Sequence, residues 1–313
     1  MPISRSSADL SQAGITVLER GWLSSNNTLI QGDGPSTLVD SGYATHADQT
    51  VSLVNAALQG RALEQLLNTH LHSDHCGGNA ALQRAHASLQ TWIPPGQADA
   101  VQQWDTVALT YEPTGQACPR FRHDKLLTPG TSVQMGSLQW EIHAAKGHDP
   151  HSVVLFQPAL GVLISADALW ENGFGVVFPE LEGDSAFDEV GQTLDLIERL
   201  RPATVIPGHG AVFHDLDGAL QRARSRLKQF IAQPEKHRRH AHKVLVKFKL
   251  LEWQRTHVGT LHDWIMQTSY FVRDLPASLK SDTAATQAWL DTLLTELERA
   301  QALRREGDWV VNL

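Results

Sequence analysis

The chain has 313 residues, of which 42% are hydrophobic and 19% charged, and its formal net charge is −8. This composition supplies enough apolar mass for a sizeable core and excludes a wholly disordered chain, so we expect one large domain with an appendage. The chain shows no run of roughly 18 uncharged apolar residues, no secretory signal in its first fourteen residues and too few cysteines for a disulfide scaffold, which together predict a cytoplasmic protein without a membrane partner.

The first 215 residues alternate between strand-like and helix-like segments. Short β-rich runs are predicted at residues 15–19, 28–30, 37–40, 65–69, 153–156, 162–165 and 204–206. Thr45 and Ser185 are predicted to cap two helices, because apolar residues recur at helical spacing after each of them. Strands and helices mixed in this way indicate an α/β (α+β) fold.

After about residue 215 the pattern changes to helices. They are predicted at residues 216–231, 244–253, 261–270 and 286–303, followed by a β-like segment at 309–311. Helices followed by a short β-wing indicate a winged-helix-like domain over residues 216–313, behind a catalytic domain over residues 1–215. The stretch from Gln221 to Leu250 carries ten Lys or Arg and one acidic residue, so it is either a solvated face or an anion-binding surface.

The most informative stretch is Thr69-His70-Leu71-His72-Ser73-Asp74-His75. His70 and His72 lie two residues apart just after a predicted strand, so their imidazoles project to one side of the extended backbone. Imidazoles and carboxylates are metal ligands, and four of them within six residues are too many for a single ion. The spacing therefore predicts a site for two adjacent divalent cations.

Three later segments each add one candidate ligand near the end of a predicted strand. His148 lies in Gly147-His148-Asp149-Pro150-His151, Asp167 follows the run at 162–165, and His209 follows the run at 204–206. The ends of strands are where α/β folds place their sites. In this order and spacing, the four segments predict one composite site.

These motifs resemble those of the metallo-β-lactamase-fold hydrolases. His70-x-His72-x-Asp74-His75 matches that family's signature motif, and Asp40-Ser41-Gly42 resembles the early strand-end motif that braces its metal loop. The resemblance covers roughly residues 15–215 and implies a four-layer αββα sandwich with the metals at one edge. It also implies a first ion held by His70, His72 and His148, a second held by Asp74, His75 and His209, and a bridging Asp167.

The segment around His148 departs from the family's usual spacing. Many relatives have two histidines four residues apart here, whereas His148 and His151 are three residues apart. Because the first histidine is normally the ligand, His148 is assigned to the metal. His151 is expected to support the ligands or to contact the substrate.

Two such cations would convert a bridging water into a nucleophilic hydroxide near neutral pH, and Asp74 is the expected catalytic residue that orients it and relays its proton. Zinc is the expected metal, and iron or manganese would also suit these ligands. The apolar segment after Asp167 is expected to line a substrate pocket through Trp170, Phe174 and Phe178. A lid is predicted at residues 96–122.

Several functional hypotheses are compatible with this site. The leading one is a binuclear hydrolase of a small ester, thioester or lactone, of which glyoxalase-II-like thioester hydrolysis is one version. A nuclease is the second, because residues 235–240 weakly resemble the start of a winged-helix appendage found in relatives that include a mitochondrial endoribonuclease group. A β-lactam hydrolase is the third, although no cysteine is among the assigned ligands. A non-enzymatic diiron site with a flavin partner is disfavoured, because the sequence has no flavodoxin-like extension.

Overall fold

Two mixed β-sheets form the centre of the molecule in the computed structural model, which describes residues 9–313. The first sheet has six strands that neighbour one another in chain order: β1 (Ile15–Leu18), β2 (Asn27–Ile30), β3 (Thr37–Val39), β4 (Gln65–Leu67), β5 (Gln90–Ile93) and β6 (Lys125–Leu126). The second sheet has the order β11-β10-β9-β8-β7 and consists of β7 (Ser132–Met135), β8 (Leu138–Ala144), β9 (Val153–Gln157), β10 (Val162–Ala166) and β11 (Thr204–Pro207). Strands β3 to β6 and the pair β10–β11 run parallel.

Helices cover the sheets and continue into the C-terminal region. Those in the first 232 residues are α1 (Ala47–Leu58), α2 (Ser73–Cys76), α3 (Asn79–Ala85), α4 (Ala98–Gln103), α5 (Phe178–Glu182), α6 (Phe187–Leu200) and α7 (Leu216–Ala232). The later ones are α8 (Pro234–Trp253), α9 (Val258–Gln267), α10 (Ser269–Asp274), α11 (Ala277–Lys280) and α12 (Thr283–Arg299). Within residues 9–313, none of the helices has the length and apolar character needed to cross a membrane.

Alternation along the strands builds four layers. Successive side chains of a strand point to opposite faces, so Leu38 of β3 packs with α1 and α3 while Val39 packs between the two sheets. On β10, Leu163 packs with α6 and α7 while Ile164 faces the first sheet. The αββα sandwich predicted from the sequence is therefore confirmed.

Two helices begin at residues other than those predicted. A 3-10 turn at Ala44–His46 precedes α1, and the N-cap of α1 is His46 instead of Thr45. At the start of α6, Oε1 of Glu180 accepts hydrogen bonds from the backbone N–H groups of Ala186 and Phe187, at 2.6 and 2.9 Å. A side chain from the preceding helix thus satisfies the first N–H groups of α6, and Ser185 does not cap it.

The C-terminal helical region predicted from the sequence is confirmed and has a core of its own. Helices α8 to α12 bury residues such as Leu245, Phe271 and Leu294, and they pack with a sheet of order β12-β14-β13, formed by β12 (Arg255–His257), β13 (Leu303–Glu306) and β14 (Trp309–Asn312). Helix α7 packs instead on the second sheet, in the cluster that contains Leu163. The domain division at residue 215 and the winged-helix assignment stay predictions.

Candidate metal centre

Asp40, directly after β3, holds the loop that carries the first candidate ligands. Its Oδ1 accepts a hydrogen bond from the backbone N–H of Thr69 at 2.9 Å. Its Oδ2 faces the hydroxyl of Thr69 and Nδ1 of His75, both at 2.8 Å. Asp40 is buried and has a φ of 59°, in the left-handed region that Asp enters more readily than most residues. These three contacts fix the segment between β4 and α2.

Three histidines form the first group of candidate ligands. Nε2 of His148 lies 3.3 Å from Nε2 of His70 and 2.8 Å from Nδ1 of His72. The other ring nitrogens face the protein: Nδ1 of His148 is 2.6 Å from the carbonyl oxygen of Val176, and Nδ1 of His70 is 3.1 Å from the hydroxyl of Thr69. Burial lowers the pKa of His72 to about 4. Nε2 of His70, Nδ1 of His72 and Nε2 of His148 therefore lie close to one another.

The hydrogen-bond partners show where the protons of this group lie. The Thr69 hydroxyl donates to Asp40 and therefore accepts from Nδ1 of His70. The carbonyl of Val176 accepts from Nδ1 of His148, so in the neutral rings the lone pairs of both Nε2 atoms face each other across 3.3 Å. Burial also lowers the pKa of His70 well below its ordinary value, so protonation does not relieve this repulsion. Nδ1 of His72, 2.8 Å from Nε2 of His148, can donate to one of these lone pairs, but it leaves the other without a donor. A metal ion between the rings would satisfy both, so the residues fit a metal ion.

Asp74, His75, Asp167 and His209 form the second group, and their ligand atoms lie within 4.8 Å of one another. Nε2 of His209 is 3.0 Å from Oδ2 of Asp74, and Nε2 of His75 is 3.3 Å from Oδ1 of Asp167. The other carboxylate oxygen of Asp167 is 3.5 Å from Nε2 of His148, in the first group. The seven side chains predicted as ligands therefore lie together, with Asp167 between the two groups.

The second group also requires positive charge. Burial by itself would lower the pKa of His75, but Asp167, Asp40 and Asp74 outweigh burial and raise that pKa well above its ordinary value. Burial likewise opposes the ionisation of Asp167, yet His75 and His209 hold the pKa of Asp167 well below its ordinary value. Asp167 is therefore ionised and needs a cation beside it, either protons on the histidines or a metal ion.

The backbone around Asp167 makes room for its carboxylate. Ala166 has a φ of 47°, in the left-handed region that favours glycine. Directly after the neighbouring strand β11, a Cβ added at Gly208 would lie 2.2 Å from Oδ1 of Asp167. The indole N–H of Trp170 donates to the same Oδ1 at 3.1 Å. Because residue 208 is a glycine, there is room for the Asp167 carboxylate at the position where the Trp170 indole donates to it.

We expect Gly208→Ala to weaken metal binding about tenfold, because the new methyl group must displace the carboxylate of Asp167. The measurement is a titration of metal-free protein with Zn²⁺ against a competing chelator. Gly21→Ala is the matched control, because a Cβ at Gly21 meets nothing within 4 Å. Equal Zn²⁺ affinities for both variants would contradict the role of Asp167 as a ligand.

Both groups open into one cavity of about 420 Å³. Of the predicted pocket residues, Trp170 and Phe178 line it. Phe174 is instead buried in the core between the second sheet and α7. The imidazole of His151 lies against Gly96, whose added Cβ would be 2.0 Å from its Nδ1. Neither Phe174 nor His151 is among the residues that line this cavity, so their roles toward the substrate stay predictions.

Several cavity residues were not predicted from the sequence. Trp22 stacks on the imidazole of His209, with ring centroids 5.3 Å apart, although 55% of its surface is exposed. Thr110, Thr114 and Gln116 line the cavity from the segment 96–122, where a lid was predicted. Helices α7 and α8 add further residues that were not predicted: Arg226, His240, Val244, Leu245 and Phe248. No local motif marks these residues, because only the packing of distant segments brings them to the cavity.

The fold and the site define a class of αββα proteins with a cluster of His and Asp side chains at one edge of the sandwich. A model of the metallo-β-lactamase superfamily matches residues 20–209, which is more than half of the chain. The chain belongs to this superfamily, and the family prediction made from the sequence is confirmed.

Solved structures with the same fold extend over most of the chain. A metallo-β-lactamase family protein from Thermus thermophilus is 18% identical with a TM-score of 0.57, and the match covers 96% of this chain and 99% of that one. A β-lactamase domain protein from Burkholderia ambifaria is 22% identical with a TM-score of 0.60, covering 77% and 80%. At these identities the likeness shows the fold alone.

Curated relatives carry the name hydroxyacylglutathione hydrolase. The protein from Anaeromyxobacter dehalogenans (strain 2CP-C) is 31% identical over 147 residues, which are 47% of each chain. The protein from Legionella pneumophila (strain Lens) is 28% identical over 144 residues, which are 46% of each chain. The chain thus spans about half the length of these relatives.

Proposed function

We propose that this protein is a binuclear metal-dependent hydrolase of a small thioester, ester or lactone. The observation that carries the proposal is the arrangement of seven candidate ligand side chains, six of them in two adjacent groups with Asp167 between them. The hydroxyacylglutathione hydrolase name of the curated relatives supports a thioester among these substrates.

In this proposal each group of ligands holds one divalent cation. The first would be held by His70, His72 and His148 and the second by Asp74, His75 and His209. Asp167 would be available to both, because its two carboxylate oxygens face one group each. Zinc suits imidazole and carboxylate ligands best, and iron or manganese also suits them. When bound, such ions supply an activated water as the nucleophile and polarise the carbonyl oxygen of the substrate.

The protein supplies proton transfer and orientation. Asp74 lines the cavity, and its Oδ2 lies 3.0 Å from Nε2 of His209. The histidines His75 and His209 outweigh the effect of burial and lower the pKa of Asp74, so its carboxylate is ionised at neutral pH. Asp74 therefore orients the attacking water, accepts its proton and passes that proton to the departing sulfur or oxygen.

The aromatic walls of the cavity hold the substrate and exclude water. Trp22 and Trp170 stand edge to face with centroids 5.3 Å apart on the side of His209. Phe178 packs against His72, with ring centroids 4.9 Å apart. Such walls favour an apolar acyl group next to the scissile bond.

The contacts of the basic helix α8 do not favour a nuclease. Arg239 and Lys243 both pair with Glu296, at 2.9 and 3.2 Å. Lys249 is buried and pairs with Glu252 at 2.6 Å. These cations neutralise carboxylates of the chain itself, whereas a phosphate-tracking surface needs cations that are free to bind the nucleic-acid backbone.

The test is metal removal combined with a substrate panel of thioesters, lactones, phosphodiesters and β-lactams. Treatment with dipicolinate should lower hydrolysis of thioesters or lactones by more than about a hundredfold, and Zn²⁺, Mn²⁺ or Fe²⁺ should restore it. Thermal unfolding of the treated protein controls for loss of the fold. Full activity in metal-free protein, or hydrolysis of phosphodiesters alone, would overturn the proposal.

A further inference from the structure

Arg226 of α7 is a cation at the wall of the metal-centre cavity. Among the described residues that line this cavity, it is the one Lys or Arg. Within the part of the chain that the structure describes, its guanidinium makes no hydrogen bond and no ion pair. It is also half-buried, and burial lowers its pKa from the ordinary value. A partly desolvated charge without a partner is costly unless a ligand satisfies it.

The neighbouring arginines of the same helix behave differently. Arg222 donates to the carbonyl of Glu171 at 2.7 Å and lies 3.6 Å from a carboxylate oxygen of Asp215. Arg224 pairs with two carboxylates of α6, at 2.7 and 2.8 Å. The outer arginines Arg222 and Arg224 of α7 are therefore neutralised, whereas Arg226, which lines the cavity, has no counter-charge among the residues from 9 to 313.

Gly173 connects Arg226 to the metal centre. A Cβ added at Gly173 would lie 2.4 Å from Nη1 of Arg226, so the guanidinium lies directly over this glycine. The carbonyl of Gly173 accepts a hydrogen bond from the backbone N–H of Trp170 at 2.7 Å, and the Trp170 indole donates to Asp167 at 3.1 Å. The tight turn from Trp170 to Gly173 therefore contacts the guanidinium of Arg226 at one end. At its other end it carries the indole that donates to Asp167.

Among the described residues of this wall of the cavity, Arg226 carries the sole positive charge. His240 also lines the cavity, and burial together with the charge of Arg226 lowers the pKa of His240 to about 4, so His240 is neutral near pH 7. Val244, Leu245 and Phe248 add apolar surface beside it. The wall thus combines one guanidinium with an apolar lining.

Resting on the hydrolase function proposed above, we propose that Arg226 binds a carboxylate of the substrate. The substrate class is then a thioester or ester whose acyl group carries a carboxylate, separated from the scissile carbonyl by an apolar segment. A guanidinium binds a carboxylate through two parallel N–H···O bonds, which fixes the acyl chain in one orientation.

The kinetic test compares thioesters that differ only at the far end of the acyl chain. The probes are the glutaryl, adipoyl and suberoyl thioesters of N-acetylcysteamine, against the pentanoyl, hexanoyl and octanoyl thioesters. We expect the unmodified protein to prefer the carboxylate-bearing member of at least one pair by about 10- to 100-fold in kcat/KM. Arg226→Met should abolish this preference, mainly through KM. Lys228→Met, which removes an exposed charge from the same helix, should keep it.

A binding measurement separates this subsite from turnover. The metal-loaded protein is titrated with 4-phenylbutyrate and with its neutral amide, followed by calorimetry. The ratio of acid affinity to amide affinity should be at least about tenfold higher in the unmodified protein and in Lys228→Met than in Arg226→Met, in which only the metal ions still favour the acid. An equal ratio in the unmodified protein and in Arg226→Met would overturn the proposal.

The two experiments distinguish failure of the subsite from failure of the function. If no thioester is hydrolysed but Arg226 still governs binding of the acid, the hydrolase function fails and the carboxylate subsite stands. If the unmodified protein and both variants hydrolyse thioesters with and without the terminal carboxylate at equal rates, the proposed subsite is wrong and the hydrolase function stands.

Discussion

His148→Asn is expected to lower kcat/KM for thioester or lactone hydrolysis by more than about a thousandfold and to remove one of two bound metal ions. The Nε2 of His148 lies 2.8 Å from His72, 3.3 Å from His70 and 3.5 Å from Asp167, so its loss opens the first group. Stabilisation of transition-state charge by a metal ion contributes several kcal/mol, which corresponds to this loss. Steady-state kinetics and metal analysis of the purified variant are the measurements.

His151→Asn is the matched control for this variant. From its spacing in the sequence alone, the neighbouring His151 could have been the metal ligand in place of His148. Its ring lies against Gly96, and His151 is not among the residues that line the cavity. This variant should keep both metal ions and more than about a tenth of the activity. If His151→Asn is the inactive variant and His148→Asn the active one, the assignment of the ligand is reversed.

Asp40→Asn is expected to weaken metal binding about 100-fold and to lower the free energy of unfolding by about 2 kcal/mol. Both carboxylate oxygens of Asp40 accept hydrogen bonds, from the Thr69 N–H, the Thr69 hydroxyl and Nδ1 of His75. An amide turns one of these positions into a donor that faces another donor, and a buried unsatisfied donor costs about 1–3 kcal/mol. Loss of the His75 contact also frees the orientation of a metal ligand, which typically costs 10- to 100-fold in affinity.

The measurements for Asp40→Asn are urea denaturation and competitive Zn²⁺ titration. Asn also tolerates the left-handed backbone of Asp40, so the backbone does not explain the loss. Asp124→Asn is the control, because Asp124 likewise accepts a backbone hydrogen bond, from Thr91 at 2.8 Å, but supports no ligand. If both variants lose stability equally and bind Zn²⁺ normally, Asp40 is a structural residue alone.

The ligands could be predicted from the sequence because they follow strand ends and four of them share one short motif. Parallel pairing of β3 with β4 and of β10 with β11 places the segments after these strands at one edge. Local sequence therefore determines both the type of residue and its place. The His148–His151 ambiguity needed the structure, because it depends on which ring turns toward His70.

The cavity walls could not be predicted in the same way. Phe174 and Phe178 lie in one apolar segment, yet only Phe178 lines the cavity, because the loop between them has no regular alternation of faces. Arg226 looks like its neighbours Arg222 and Arg224 in the sequence. Its lack of a partner follows from the distant packing of α7 against the turn at Gly173, for which the sequence carries no local signal.

The most direct measurement of the central claim is anomalous diffraction from crystals of the Zn²⁺-loaded protein at the zinc absorption edge. We predict two peaks per chain, one bound by His70, His72 and His148, the other by Asp74, His75 and His209, with Asp167 in contact with both. A single peak, or peaks away from these seven side chains, would contradict it.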